Sequence, residues 1–352
     1  MTNAMNRVMN RETNGVSNEH DVNASLEQDL TLVEAVNLAL SRAMHDDERV
    51  VILGEDVGAN GGVFRATVGL QQQFGQQRVM DTPLAETLIA GTAIGMALHG
   101  LKPVMEIQFM GFIFPAMEQL VTHAARMRNR TRGRLNCPLV IRAPFGGGIH
   151  APEHHSESTE ALFAHIPGIR VVIPSSPRRA YGLLLSAIDN PDPVLFLEPK
   201  RLYRAVKQPL RDDAERLPLD RCFVLREGRD ITLVTWGACV HETLQAAQQL
   251  EVEGISAEVI DVATVSPLDM DSIRTSVEKT GRCVIVHEAA RSGGVGADIS
   301  AQLAESSLEY LQAPVVRVTG FDTPMPYFRQ EQLYLPDVGD IMAAAQATLA
   351  YQ

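Results

Sequence analysis

The sequence predicts an α/β protein of two domains, each built on a mostly parallel sheet with helices on both faces. Three observations carry this. From residue 29 onward, helical periodicity alternates with short β-branched runs. The alternation lapses over a polar, proline-containing stretch that begins near residue 200. It then restarts at residue 230 without visibly repeating the first half. The organisation that follows is a disordered polar tail over 1–28, a first domain over 29–205, a linker over 206–229 and a second domain over 230–352.

The elements can be taken in chain order. The first 28 residues are Asn-rich and polar and lack the apolar core of a secretory signal, so they read as a tail, with an internal start codon as the alternative. TLVEAVNLALSRAMHDD (31–47) is an amphipathic helix in which Thr31 and Glu34 have capping-box spacing. RVVILGED (49–56) is a buried strand. DTPLAETLIAGTAIGMALHG (81–100) is a helix in which Thr82 can cap and Pro83 fits the first helical position. KPVMEIQF, PLVIRAPF, GIRVVIPSS and PVLFLEP repeat the strand pattern, with PRRAYGLLLSAID (177–189) a helix among them. In the second domain DITLVTWG, ISAEVIDVAT, RCVIVHEA and APVVRVTG are strands, followed by a C-terminal helix.

Composition removes several function classes. The net charge is −12, which argues against a nucleic-acid partner. The basic run RMRNRTRGR (126–134) reads as a solvated helix end or a partner contact. No apolar run reaches the ~18 to 20 residues of a membrane span. Four widely spaced cysteines with no C-x-x-C pair point to reduced thiols and a cytoplasmic setting.

In parallel sheets, ligands bind beyond the carboxyl ends of the strands, and in the first domain those ends carry chemistry. Glu86 is a carboxyl beside Leu84, Ala85, Leu88 and Ile89. It either complements the helix dipole or serves as a group whose raised pKa lets it share a proton with a ligand nitrogen. Glu55 and Asp56 end a strand, as a proton relay or a capped turn. Gly146–Gly148 suit a backbone that approaches a ligand or another chain, and less well a phosphate cradle. His150, His154 and His155 follow, with acid/base, metal and structural roles all open. Gly91 and Gly95 let another backbone pack closely on their helix. His287 and Glu288 end a second-domain strand and read as structural or interfacial.

The segments GEDVGANGGVFRATVGL, RVMDTPLAETLIAG, PVMEIQFMGFIFPAMEQ, APFGGGIHAPEHHSES, FAHIPGIRVVIPSSP and LFLEPKRLYR, and more loosely VSPLDMDSI, VEKTGRCVIVHEA and FDTPMP, occur in an order that resembles one family. That family is the beta subunits of thiamine diphosphate-dependent 2-oxo acid dehydrogenases, the decarboxylating first components of pyruvate and branched-chain 2-oxo acid dehydrogenase complexes. The resemblance spans about residues 29–350. It implies a pyrimidine-binding domain followed by a transketolase C-terminal-like domain, and an oxidoreductase that passes an acyl group to a lipoyl disulfide. It places Glu86 on the aminopyrimidine ring, Leu84, Gln108 and Phe112 in the pyrimidine pocket, Glu55 near Glu86, and His155 at acyl transfer to lipoyl. Phe112 stands where many branched-chain relatives carry Tyr, so a hydroxyl contact to the cofactor is lost there.

The resemblance further implies a structural potassium ion on the backbone of Cys137, Leu139, Val140, Ala187, Asn190 and Asp192, with Val140 replacing a Thr ligand of some relatives. The chain contains no GDG followed by an Asn-rich magnesium and diphosphate motif. An alpha subunit is therefore implied to supply that half of the thiamine diphosphate site, in an α2β2 heterotetramer that serves a lipoyl-bearing dihydrolipoyl acyltransferase core. The alternatives are an acetoin dehydrogenase beta subunit and, from a different class, a non-catalytic scaffolding or nucleotide-binding module that uses the glycine loop.

Overall fold

The computed structural model describes residues 27–351. The tail expected over 1–28 lies outside them except for its last two residues, and Gln28 already begins a strand. Fourteen strands are described, in chain order: β1 (Gln28–Thr31), β2 (Val50–Gly54), β3 (Val79–Asp81), β4 (Lys102–Glu106), β5 (Val140–Phe145), β6 (Arg170–Val172), β7 (Val194–Pro199), β8 (Lys207–Leu210), β9 (Phe223–Arg226), β10 (Ile231–Thr235), β11 (Ala257–Asp261), β12 (Thr264–Ser266), β13 (Cys283–Ala290) and β14 (Val316–Gly320). The longer helices are α1 (Leu32–Asp46), α2 (Glu86–Leu98), α3 (Pro177–Asp189), α4 (Cys239–Val252), α5 (Met270–Thr280), α6 (Val295–Ser306) and α7 (Val338–Leu349).

The first sheet has seven strands in the order β12-β6-β7-β5-β4-β2-β3, and every pairing except β12 with β6 is parallel. The second has the order β14-β13-β10-β11-β9 and is parallel apart from β9. Parallel strands are covered on both faces, which is why β2, β5, β7, β10 and β11 are buried at every position. The capping box of α1 forms as its spacing predicts, with Thr31 accepting from the Glu34 N–H and Glu34 accepting from the Thr31 N–H.

Three features of the structure differ from the sequence reading. The stretch 206–229 contains two strands: β8 pairs antiparallel with β1, and β9 joins the second sheet. The run ISAEVIDVAT ends in β11, and a separate strand, β12, crosses to pair with β6, so the second half of the chain supplies an edge of the first sheet. Accordingly, one apolar cluster runs from Leu53, Ile89, Met105 and Ile141 through to Trp236, Ile273 and Ile285. The third feature is α2. It begins at Glu86 rather than at Pro83, its N-cap is Ala85 with no side-chain cap, and Thr82 Oγ1 has no hydrogen-bond partner.

Among the described residues no helix is long and apolar enough to cross a membrane. All four cysteines are free thiols, and burial raises the pKa of each.

Candidate active site

Four neighbouring strands, β5, β4, β2 and β3, lead at their carboxyl ends into the segments that carry the expected chemistry. β2 ends at Gly54, so Glu55 is the first residue beyond it. β3 ends at Asp81, and five residues later Glu86 opens α2. β4 is followed by Gln108, Phe109 and a 3-10 turn, Met110–Ala116, that holds Phe112. β5 leads into Gly146–Gly148 and the turn Glu153–His155. Parallel alignment forces these four connections to one edge of the sheet.

The two carboxylates lie close together. Glu55 is only 7% exposed, and its pKa is raised first by burial and then by the charge of Glu86 and of Asp56. The Ala85 N–H donates to Glu55, while Glu55 Oε1 is buried with no partner. Glu86 itself is half-buried. The apolar neighbours do not enclose it as the sequence suggests: Leu84 is 79% and Leu88 53% exposed. The buried face of α2 is instead Ile89, Ala90, Ala93, Ile94 and Ala97. On the opposite side a Cβ at Gly95 would meet nothing within 4 Å, and one at Gly91 would meet only Gln119 Oε1 at 3.8 Å. Among the described residues no backbone packs on that small-residue face.

His155 stands in an aromatic box. Its ring lies 4.4 Å from Phe109 and 5.2 Å from Phe112, centroid to centroid and edge-on in both cases. Phe64 extends the cluster, 5.4 Å from Phe109 and 5.0 Å from Tyr203. Burial, followed by the charges of His154 and Lys200, lowers the His155 pKa, and its Nδ1 is buried without a partner. Such an imidazole stays neutral at pH 7 and can accept or return a proton. A Cβ at Gly111 would fall on the His154 carbonyl oxygen, so the turn that carries the histidines can seat on the Met110–Ala116 turn only over a glycine. The three histidines are not a cluster: His150 turns away to Glu331, with Nδ1 2.8 Å from Oε2.

The glycine loop is committed to its own chain. The Gly147 N–H donates to Glu288 Oε1 at 2.5 Å, and the Gly148 and His150 N–H groups donate to Glu331 Oε1 and Oε2 at 2.7 and 3.0 Å. Amides already satisfied by carboxylates leave no phosphate cradle, which removes the observation that favoured a nucleotide-binding module. Glu288 therefore has the interfacial role its position suggested. His287 stacks on Trp236 at 5.0 Å and 14°, and Trp236 Nε1 donates to Glu160 Oε1 at 3.2 Å.

The sequence reading missed the ionic layer beneath the site. Arg142 donates to both oxygens of Glu198 at 2.6 and 2.9 Å and to Glu106 Oε2 at 2.8 Å, and the Tyr203 hydroxyl donates to Glu198 at 2.7 Å. The signal was available. The runs PVME, VIRAPF and VLFLEP each contain one ionisable residue, and a lone charge in a buried strand requires a partner on a neighbouring strand. Lys200, also missed, is buried, its pKa is lowered to about 8 by desolvation, and it donates to the Gly146 carbonyl.

The two segments expected to bind potassium do meet. The Cys137 N–H donates to the Pro191 carbonyl at 3.1 Å, and the Asp192 N–H to Asn190 Oδ1 at 2.9 Å. The Asp192 carboxylate pairs with Arg128 at 2.7 Å. Leu139 O accepts from the Val194 N–H and Ala187 O from the Asn190 N–H. Among the described residues no group of three His, Cys, Asp or Glu is arranged to hold a metal.

Residues 28–206 match the transketolase pyrimidine binding domain and residues 220–341 the transketolase C-terminal domain. The pyruvate dehydrogenase E1 component subunit beta of Acholeplasma laidlawii is 51% identical over 89% of this chain and 96% of its own length. The protein of the same name from Bacillus subtilis is 49% identical over 92% of this chain and 99% of its own. A solved split gene transketolase, described as an inactive beta4 tetramer, superposes with a TM-score of 0.77 over 92% of this chain and 99% of its own; at 24% identity that likeness concerns the fold alone.

Proposed function

Because the chain belongs to the beta-subunit family of thiamine diphosphate-dependent 2-oxo acid dehydrogenases, we propose that it forms the pyrimidine-side half of a pyruvate dehydrogenase active site. The observation that carries this reading is that Glu55, within electrostatic reach of Glu86, and the His155 aromatic box both lie at the carboxyl ends of four adjacent strands. Glu55 Oε1 and His155 Nδ1 are buried polar atoms without partners among the described residues, as expected of groups awaiting a ligand. When bound, thiamine diphosphate supplies an acidic carbon and an electron sink for decarboxylation.

The chain's own residues have separable tasks. Glu86 would hold the aminopyrimidine ring through a carboxyl hydrogen bond. Glu55, raised in pKa, would keep a proton available beside it. Phe112 presents an aromatic face and no hydroxyl, while Gln108 and the exposed Leu84 complete the pocket wall. His155 would protonate the lipoyl sulfur freed on acyl transfer.

Leu88, on the helix whose glycine face is unused, and Leu84, just before that helix, are exposed, which supports an interface with an alpha subunit in an α2β2 assembly. That subunit would bring the magnesium-diphosphate site, and a lipoyl-bearing acyltransferase core would accept the acyl group. The meeting of the 137–140 and 187–192 segments supports a potassium ion on their backbone. The relatives' names support pyruvate as substrate. Free, buried thiols fit a cytoplasmic enzyme.

The test is co-assembly with the alpha subunit and decarboxylation assays in which pyruvate, 3-methyl-2-oxobutanoate and acetoin compete. Pyruvate should be preferred, and neither subunit alone should turn over. Turnover by this chain alone would refute the split site, and preference for either other substrate would refute the pyruvate assignment.

A further inference from the structure

The loop that carries the histidines is anchored by carboxylates from the other half of the chain. Glu288 lies at the end of β13 and Glu331 in the helix Phe328–Tyr334; both are buried. Glu288 Oε1 holds the two ends of the loop at once, accepting from the Gly147 N–H and, at 3.0 Å, from Ser158 Oγ. Glu331 holds Gly148 and His150. Gly146, Gly148 and His150 have φ of +79°, +84° and +59°. These left-handed turns point successive N–H groups to one side, the geometry of an anion nest. The anion here is the chain's own. The loop base is closed by the Gly146 N–H donating to the Glu157 carbonyl at 3.0 Å.

Between the anchors only residues 151–157 are free to move, and these too are constrained. The His155 N–H donates to the Pro152 carbonyl at 2.9 Å, Ser156 Oγ donates to the same carbonyl at 3.2 Å, and His154 sits on Gly111. Nothing in the first sheet itself holds residues 147–150; their described hydrogen bonds go to Glu288 and Glu331.

We propose that Glu331 and Glu288 are positioning residues for His155: a two-carboxylate clamp by which the second domain fixes the acyl-transfer histidine against Phe109 and Phe112. This rests on the role given to His155 above. In that transfer the carbon left by decarboxylation forms a bond to one dithiolane sulfur as the sulfur–sulfur bond breaks; that carbon is oxidised to the acyl level by the two electrons that reduce the disulfide, its bond to the cofactor breaks, and the proton lost from its hydroxyl passes through His155 to the freed sulfur. Glu55 follows β2 and Glu86 opens α2, and neither bonds to the clamp, so the two half-reactions should separate.

The experiment uses the assembled α2β2 enzyme carrying Glu331→Gln, Ser158→Ala or His155→Ala. Pyruvate decarboxylation with ferricyanide as oxidant is compared with reductive acylation of an isolated lipoyl domain. Misplacing a catalytic group by about 1 Å can cost up to ~100-fold. Glu331→Gln and Ser158→Ala should therefore each lower the ratio of acylation to decarboxylation at least about tenfold, and Glu331→Asp should recover part of it. A merely structural role would lower both rates together. An unchanged ratio in both Glu331→Gln and Ser158→Ala overturns the clamp, and Ser158→Ala together with Glu331→Asp carries the test if Glu331→Gln fails to fold. An unchanged ratio in His155→Ala overturns instead the role assigned to His155.

Discussion

Glu55, just beyond β2, lies within electrostatic reach of Glu86 at the start of α2, and burial together with the Glu86 charge raises the pKa of Glu55. A buried carboxyl near a second like charge costs stability, and the fold keeps the pair there. Only a ligand that takes a proton or a hydrogen bond from the pair makes physical sense of the arrangement. The surrounding structure gives three further expectations.

The seat of the histidine turn can be tested at Gly111. Its Cβ position is occupied by the His154 carbonyl, so Gly111→Ala must push two backbone segments apart. Overpacking of this kind costs about 1–3 kcal/mol. A lower unfolding midpoint is expected, together with a fall in acyl transfer that exceeds any fall in cofactor binding. Unaltered stability would mean that the two turns are not in contact.

The layer beneath the site depends on Arg142. With Glu198 and Glu106 both buried, Arg142→Met would strand two carboxylates, at a cost of about 3–5 kcal/mol. Urea unfolding should show that loss, or the chain should fail to fold. Replacing Arg142, Glu198 and Glu106 together with apolar residues should restore much of the stability. A silent single variant would contradict the network.

Glu160 sets a pH slope. Burial raises its pKa from 4.5 to about 7, so its folded form prefers to stay protonated. Its stabilising contribution is complete below the unfolded pKa of 4.5 and is lost as pH rises through 7. His287, lowered to about 4 by burial, acts in the opposite sense: it is neutral when folded, and stability falls as pH drops from 6.5 towards 4. Glu160→Gln removes only the first effect. The stability of the variant relative to the parent should rise by about 3 kcal/mol between pH 4.5 and 7. A difference that does not change with pH would refute a buried, protonatable Glu160.

Much of this was legible in the sequence. The capping box at Thr31, the helix over 177–189 and the run of buried strands followed from local spacing, because period and cap chemistry are properties of neighbouring residues. Glu55, Glu86 and His155 were singled out because they follow strands of one parallel sheet, whereas Gln108 and Phe112 came from the family resemblance alone. The short strands β1, β8, β9 and β12 were not found, since each exists through a partner that is distant in sequence. The enclosure expected for Glu86 was misread for a related reason: exposed Leu84 and Leu88 look like core residues to any local rule. Glu331, and its joint anchoring of the glycine loop with Glu288, emerged only when two domains were brought together.

The central claim is that Glu86 serves cofactor activation in an enzyme shared with an alpha subunit. The most direct measurement is pyruvate decarboxylation by the assembled complex carrying Glu86→Gln, with assembly checked by sedimentation. Loss of a positioned acid/base group costs about 100-fold or more, so the rate should fall at least that far while the α2β2 complex still forms. An assembled Glu86→Gln enzyme that decarboxylates pyruvate at the parent rate would contradict the account.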